Sequence, residues 1–183
     1  MPKAYDFNEQ LRWSAGFLNS GIADILASHF PSFVSVAKAD KRDDKSGADY
    51  LVKRDGFPDL RVDVKVRSCD YAVLHGQDDV ALETWSVLGR SVGWTRDTKK
   101  STDYVLWYWT DTGRYFLVSF PALCTTFMRH WQEWRLRYKT CIQNSGTWKS
   151  ECTFVPRGVV VSALTAWGEG MAEVTSGIST HEN

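Results

Sequence analysis

Asp63 and Lys65 stand one residue apart in the run Leu60-Arg-Val-Asp-Val-Lys-Val-Arg67. Side chains of a strand alternate between its two sides, so Arg61, Asp63, Lys65 and Arg67 share one face and Leu60, Val62, Val64 and Val66 the other. The carboxylate and the ammonium then project the same way, roughly 6.5–7 Å apart along the strand. Asp49 lies fourteen residues upstream of Asp63, across an Asp55-Gly56 turn that folds the chain back as a hairpin. Two carboxylates converging on one point repel unless a cation sits between them. Mg²⁺ suits such a place, because it takes one or two carboxylates, keeps several waters and recruits phosphate oxygens. A lysine beside that ion can orient an attacking water, help deprotonate it, or neutralise charge building on a scissile phosphate. Phosphodiester hydrolysis is the reaction these groups fit best. The D-x-K spacing alone is weak, since Asp43-Asp44-Lys45 and Asp97-Thr98-Lys99 also match it, but both of those fall in loops that cannot align the pair.

The elements that must position these residues follow from periodicity and turn chemistry. Phe7–Trp13 and Phe17–Phe30 read as helical; in the second run Ile22, Ile25, Leu26 and Phe30 recur at helical spacing until Pro31 stops it. Phe33–Lys38 is a short strand, 40–47 a charged loop, and Ala48–Arg54 with Leu60–Arg67 a hairpin. Val80–Val87 is a further strand, followed by a glycine-containing basic loop to Thr102. Asp103–Trp109 and Arg114–Phe120 pair across Asp111-Thr-Gly113. Pro121 opens a long helix with Leu123, Phe127, Trp131, Trp134 and Tyr138 on one stripe. Gly158–Leu164 reads as a strand or buried segment, and the chain from Gly168 is poor in large apolar residues and expected to fray. The expected fold is α/β (α+β), a central mixed β-sheet flanked by helices, in a single domain over 1–167 with a flexible tail over 168–183.

Composition narrows the function classes. The chain has 183 residues, and its 22 Lys+Arg cancel 22 Asp+Glu, so no global field drives it toward nucleic acid or membrane. The charge is uneven along the chain: residues 40–84 hold eleven acids against eight bases, and 85–149 hold ten bases against four acids. That order fits a cation site beside a phosphate-binding surface, for which Arg90, Arg96, Lys99 and Lys100 are candidates together with Arg67. Nine Trp supply large aromatic surfaces to bury or to offer to a partner. No apolar run reaches transmembrane length and the start lacks signal-peptide grammar, so a cytoplasmic setting without membrane association is expected. P-loop, dinucleotide-binding, H-E-x-x-H and G-x-S-x-G motifs are absent. Cys69, Cys124, Cys141 and Cys152 include no C-x-x-C pair and read as reduced thiols, with a zinc site of Cys124, Cys141, Cys152 and His130 as the competing possibility.

Three pieces together resemble the PD-(D/E)XK nuclease superfamily, in its Holliday-junction-resolvase and restriction-endonuclease branches: a helix containing an acid (Gly21-Ile-Ala-Asp24-Ile-Leu-Ala), an acid opening a strand (Gly47-Ala-Asp49-Tyr-Leu-Val), and Val62-Asp63-Val64-Lys65 on the next. The family's proline is replaced by Ala48. The resemblance implies a restriction-endonuclease-like fold and Mg²⁺, or Mn²⁺ in its place, held by Asp49, Asp63 and the Val64 carbonyl. It further implies that Lys65 serves the nucleophilic water and that Asp24, or another N-terminal acid such as Glu9, is the helix acid. Glu83, on the following strand, is a further ligand or a hydrogen-bond partner of Lys65, or else a polar residue on a half-exposed strand. Gly93-Trp94 and Asp103-Tyr104-Val105-Leu106 are similar to small nucleases of phages and mobile elements, which would place the protein in a host cytoplasm. The implied partner is DNA, with RNA as the alternative, and the implied assembly a homodimer. The competing function is a catalytically silent nuclease-fold module that binds a protein or nucleic acid as inhibitor or adaptor.

Overall fold

The structure is a computed structural model that describes residues 21–40, 43, 46–167 and the backbone of 174–178. In chain order the elements are α1 (Ile22–His29), β1 (Phe33–Lys38), β2 (Tyr50–Arg54), β3 (Phe57–Arg67), α2 (Tyr71–His75), β4 (Asp79–Val87), β5 (Ser91–Val92), β6 (Tyr104–Trp109), β7 (Arg114–Ser119), α3 (Phe120–Arg137), β8 (Thr140–Asn144), β9 (Lys149–Pro156), α4 (Arg157–Trp167) and β10 (Val174–Ile178), with a short 3-10 turn at Trp94–Arg96. No described helix is long and apolar enough to cross a membrane.

The single domain expected from the sequence resolves into two compact units interleaved along the chain. Among the described residues, the first comprises those up to Asp70, Ser101–Phe120 and Val174–Ile178; the second comprises Tyr71–Lys100 and Pro121–Trp167. The first carries the mixed sheet, ordered β1-β2-β3-β6-β7-β10. Only β3 and β6 run parallel, with Asp63 opposite Val105 and Lys65 opposite Trp107; the other neighbours are antiparallel. The Asp55-Gly56 turn joins β2 to β3 as expected: Gly56 takes the positive φ of 71°, and a register shift between Val52 and Arg54 absorbs the extra residue.

The apolar face of β3 packs under α1. Ile22, Ile25, Leu26 and Phe30 form one buried cluster with Tyr50, Val52, Val62, Val64, Leu106, Tyr108, Tyr115 and Leu117. Each such side chain contributes about 1.5–3 kcal/mol by leaving water. On the other face Trp107 and Phe116 are buried and stacked, their ring centroids 5.6 Å apart. Both faces of the β3–β6–β7 region are therefore occupied by large side chains, which fixes the register of β3 firmly, because a one-residue slip would exchange the two sets.

The second unit has its own antiparallel sheet, ordered β5-β4-β9-β8. The strand containing Glu83 thus belongs here and not beside β3. Helix α3 buries Leu123, Phe127 and Trp134 of the expected stripe. The Gly158–Leu164 segment is helical, not a strand: Val160 and Leu164, one turn apart, are its buried residues, and that spacing outweighs the β-branched preference of Val159–Val161. Of the tail expected to fray, 174–178 pairs as β10 along β7.

Candidate functional site

At the start of β2 the hairpin ladder departs from regular pairing. The Asp49 amide donates to the Val62 carbonyl at 3.0 Å although Val62 is registered opposite Tyr50, so two successive residues address one, as at a β-bulge. The Asp49 side chain replaces the next rung: its Oδ2 accepts the Val64 amide at 2.8 Å. The Asp49 carboxyl is thereby anchored beside the Asp63–Lys65 segment. In an antiparallel ladder a residue's N–H and C=O point the same way, so the Val64 carbonyl faces the edge at which Asp49 sits.

The three groups expected to act together are brought together. Lys65 Nζ donates to Asp63 Oδ1 at 2.7 Å, with the Asp63 side chain 6% and the Lys65 side chain 24% exposed. The Asp63 carboxyl is also within hydrogen-bonding reach of Asp49. Burial, then the Asp63 charge, push the Asp49 carboxyl up from 3.8 to about 7, against the opposing pull of Lys65 and of the Val64 amide. For Lys65, burial by itself would lower the ammonium; the charges of Asp63 and Asp49 and the hydrogen bond to Asp63 overcome it and raise the group above its ordinary value.

Fitness for a divalent ion follows from this donor set. Asp49 Oδ2 is engaged by an amide and Asp63 Oδ1 by an ammonium, leaving the other oxygen of each carboxyl outside those two bonds. At neutral pH the pair cannot readily carry two negative charges, and a shared proton or a cation relieves that conflict equally. Two carboxylates and a peptide carbonyl match what Mg²⁺ takes from a protein when it retains several of its waters.

The remaining candidates have surroundings of their own. Asp24 lies on the exposed side of the first turn of α1, opposite Ile22, Ile25 and Leu26. Among the described residues, no group of three or more His, Cys, Asp or Glu is placed to hold a metal; this also removes the zinc site of Cys124, Cys141, Cys152 and His130. Glu9 lies outside the described residues. Glu83, in the second unit, has its own partners: Oε2 accepts the Trp94 amide at 2.8 Å and the Ser86 hydroxyl at 2.9 Å. Gly93 closes that turn, and a Cβ there would collide with the Glu83 backbone. Glu83 is therefore the cap of the Trp94–Arg96 turn.

Of the basic candidates, Arg67 lies exposed at the end of β3, on the face of Asp63 and Lys65. Arg90, Arg96, Lys99 and Lys100 belong to the second unit. Arg90 and Lys99 are exposed and Lys100 is half-buried. Arg96 is committed to the fold: its guanidinium lies 3.9 Å from the Trp131 ring centroid and 4.8 Å from that of Trp85, and Nη1 donates to the Thr84 carbonyl at 3.1 Å. Its guanidinium is thus held by the rings and backbone of its own unit.

One positioning acid escaped the sequence reading. Asp103, just before β6, accepts the Arg61 amide on Oδ2 at 2.7 Å and donates its own amide to the Arg61 carbonyl at 2.9 Å. Both strands flanking β3 are thus preceded by an aspartate that clamps a β3 amide, and the shared position of Asp49 and Asp103 before their strands was the available signal. No family model, curated protein or solved structure matches this chain.

Proposed function

We propose that the protein is a metal-dependent endonuclease that hydrolyses phosphodiester bonds of DNA, with Asp49, Asp63 and Lys65 as its site. The observation that carries this is the gathering of two mutually repelling carboxyls and one ammonium at the open end of a β-hairpin. The order helix, hairpin, acid-x-lysine strand is that of the PD-(D/E)XK resemblance, and it supports the same class. A divalent ion bound there would supply Lewis-acid stabilisation of the phosphate and a more acidic water. Asp49 and Asp63 would hold that ion, with the Val64 carbonyl as a further donor. Lys65, fixed by Asp63, presents a positive charge that orients the incoming water and offsets charge growing on the phosphate. Arg67, two residues along the same face, is placed to take a neighbouring phosphate of the backbone.

The test is cleavage of supercoiled, branched and single-stranded DNA with Mg²⁺ or Mn²⁺. Asp63→Asn and Lys65→Ala are each expected to lower the rate by at least about 100-fold, the usual scale for losing a positioned acid-base or electrostatic group. Unchanged cleavage by both variants would remove the site from the mechanism. One observation favours the second function, a silent nuclease-fold binding module: among the described residues no group of three or more His, Cys, Asp or Glu is placed to hold a metal, so the pair of carboxylates gains no third. That module would bind DNA or a protein, independently of divalent ions, and cleave none of the three substrates.

A further inference from the structure

Cys141 and Cys152, far apart by sequence logic, are direct partners in the β8–β9 ladder. The Phe154 amide donates to the Lys139 carbonyl at 2.8 Å and the Ser145 amide to the Trp148 carbonyl at 3.0 Å. In this register those pairs and the Cys141–Cys152 pair fall on the same alternate rungs, so the two cysteines occupy a hydrogen-bonded site. Their Cα atoms are then about 5.5 Å apart, inside the span of about 4.4–6.8 Å that a disulfide bridges. Both residues are half-buried, open enough for a small reagent, whereas Cys124 is buried. The side chains share one face of the sheet, because directly opposed residues of a ladder point the same way.

We propose that Cys141 and Cys152 form a reversible redox modification site, a vicinal dithiol across the β8–β9 hairpin that a low-molecular-weight disulfide converts to a cross-strand disulfide. One thiolate attacks the reagent, forming a mixed disulfide and expelling one reagent thiolate. The second protein thiolate attacks the protein sulfur of that mixed bond and expels the other. Two electrons pass from the cysteines to the reagent, and the two protons end on the two reagent thiols. The new bond closes a ring around residues 142–151. Glu151, next to Cys152, holds Arg135 of α3 through bonds of 2.7 and 2.8 Å, so the ring pins the strand that anchors the end of that helix. A hydrogen-bonded rung gives the bridge little freedom to relax, and a strained, accessible disulfide is the easily reduced kind.

The test equilibrates the whole protein with oxidised and reduced glutathione at graded ratios, quenches with acid, and measures intact mass followed by peptide mapping. The expected product has lost the mass of two hydrogen atoms, joins the peptides containing Cys141 and Cys152, and reverts when reduced glutathione is added. The double variant Cys69→Ser/Cys124→Ser should behave identically. Hydrogen exchange of the β8–β9 amides should slow in the oxidised form. Single glutathione adducts without ring closure, a bridge to Cys69 or Cys124, or an intermolecular dimer would each overturn the proposal.

Discussion

Two regions of the first unit bury aspartate, and they neutralise it in different ways. Asp70, fully buried, receives a bidentate guanidinium: Arg114 Nε at 2.6 Å and Nη2 at 2.8 Å, with the Thr112 hydroxyl at 3.0 Å. The Trp109 ring covers Arg114 with its centroid 4.2 Å away. One acid meets one base in matched geometry, and the charge closes. At the other place Asp63 takes the Lys65 ammonium, while Asp49 beside it is met by the Val64 amide and has its carboxyl pushed up by burial and by the Asp63 charge. The second unit repeats that bidentate pattern, with Arg135 on buried Glu151. The paired places and the hairpin set thus differ in whether a buried carboxyl is matched by a guanidinium or is left to be neutralised by a proton.

This contrast can be broken or sharpened by measurement. Arg114→Met leaves Asp70 charged and unpaired in the interior, and should cost about 3–5 kcal/mol in urea unfolding. Lys65→Met should cost clearly less, because the two carboxyls can take up a proton instead. Equal losses would mean that the two regions are the same kind of ion pair.

The next effect is one of pH. Asp49 is raised to about 7 in the folded chain from 3.8, so between those values the unfolded chain has released a proton that the folded chain retains. The unfolded state then binds fewer protons, and stability falls as pH rises through that window, by up to about 1.4 kcal/mol per pH unit and about 4 kcal/mol in all without a divalent ion. Asp49→Asn should remove that slope, measured as the difference in unfolding free energy between the two proteins from pH 4 to 8. A slope common to both would place the titration elsewhere.

Smaller effects separate committed cations from available ones. Arg96→Ala should lose about 2 kcal/mol, since it withdraws a cation from between two indoles, and Lys99→Ala should stay within about 0.5 kcal/mol. Last, Mn²⁺ at ten times its dissociation constant should stabilise the wild-type chain by about 1.4 kcal/mol at pH 8, read as a thermal shift that Asp63→Asn abolishes.

What could be read from the chain alone divides along the range of the interactions. The β2–β3 hairpin, the alternation of β3 and the β6–β7 hairpin are local, set by Asp55-Gly56, by Val62/Val64 against Asp63/Lys65, and by Asp111-Thr-Gly113. The positions of Asp49, Asp63 and Lys65 therefore followed from neighbours in sequence. The partner of β4 did not: Val80 pairs with Val155, and nothing near Val80 announces it. Which sheet holds Glu83 was therefore not legible from its neighbours. Arg96 looked like a loop cation because Trp131, which holds it, lies in a different element. Val159–Val161 favoured a strand by residue type, and only the packing of Val160 and Leu164 decides for a helix.

The parallel pairing of β3 with β6 has a consequence for how the polypeptide is made. Thirty-six residues separate Arg67 from Tyr104, and they contain β4, whose own partner β9 is translated later still. When Lys65 leaves the ribosome, its strand still lacks the neighbour on one side, and β4 must wait until Pro156 has emerged. Neither sheet can be completed before the other has begun, so excising either unit at a sequence boundary would strand unpaired edges, and the strand of the hairpin acids gains its second neighbour only once Tyr104–Trp109 has been made.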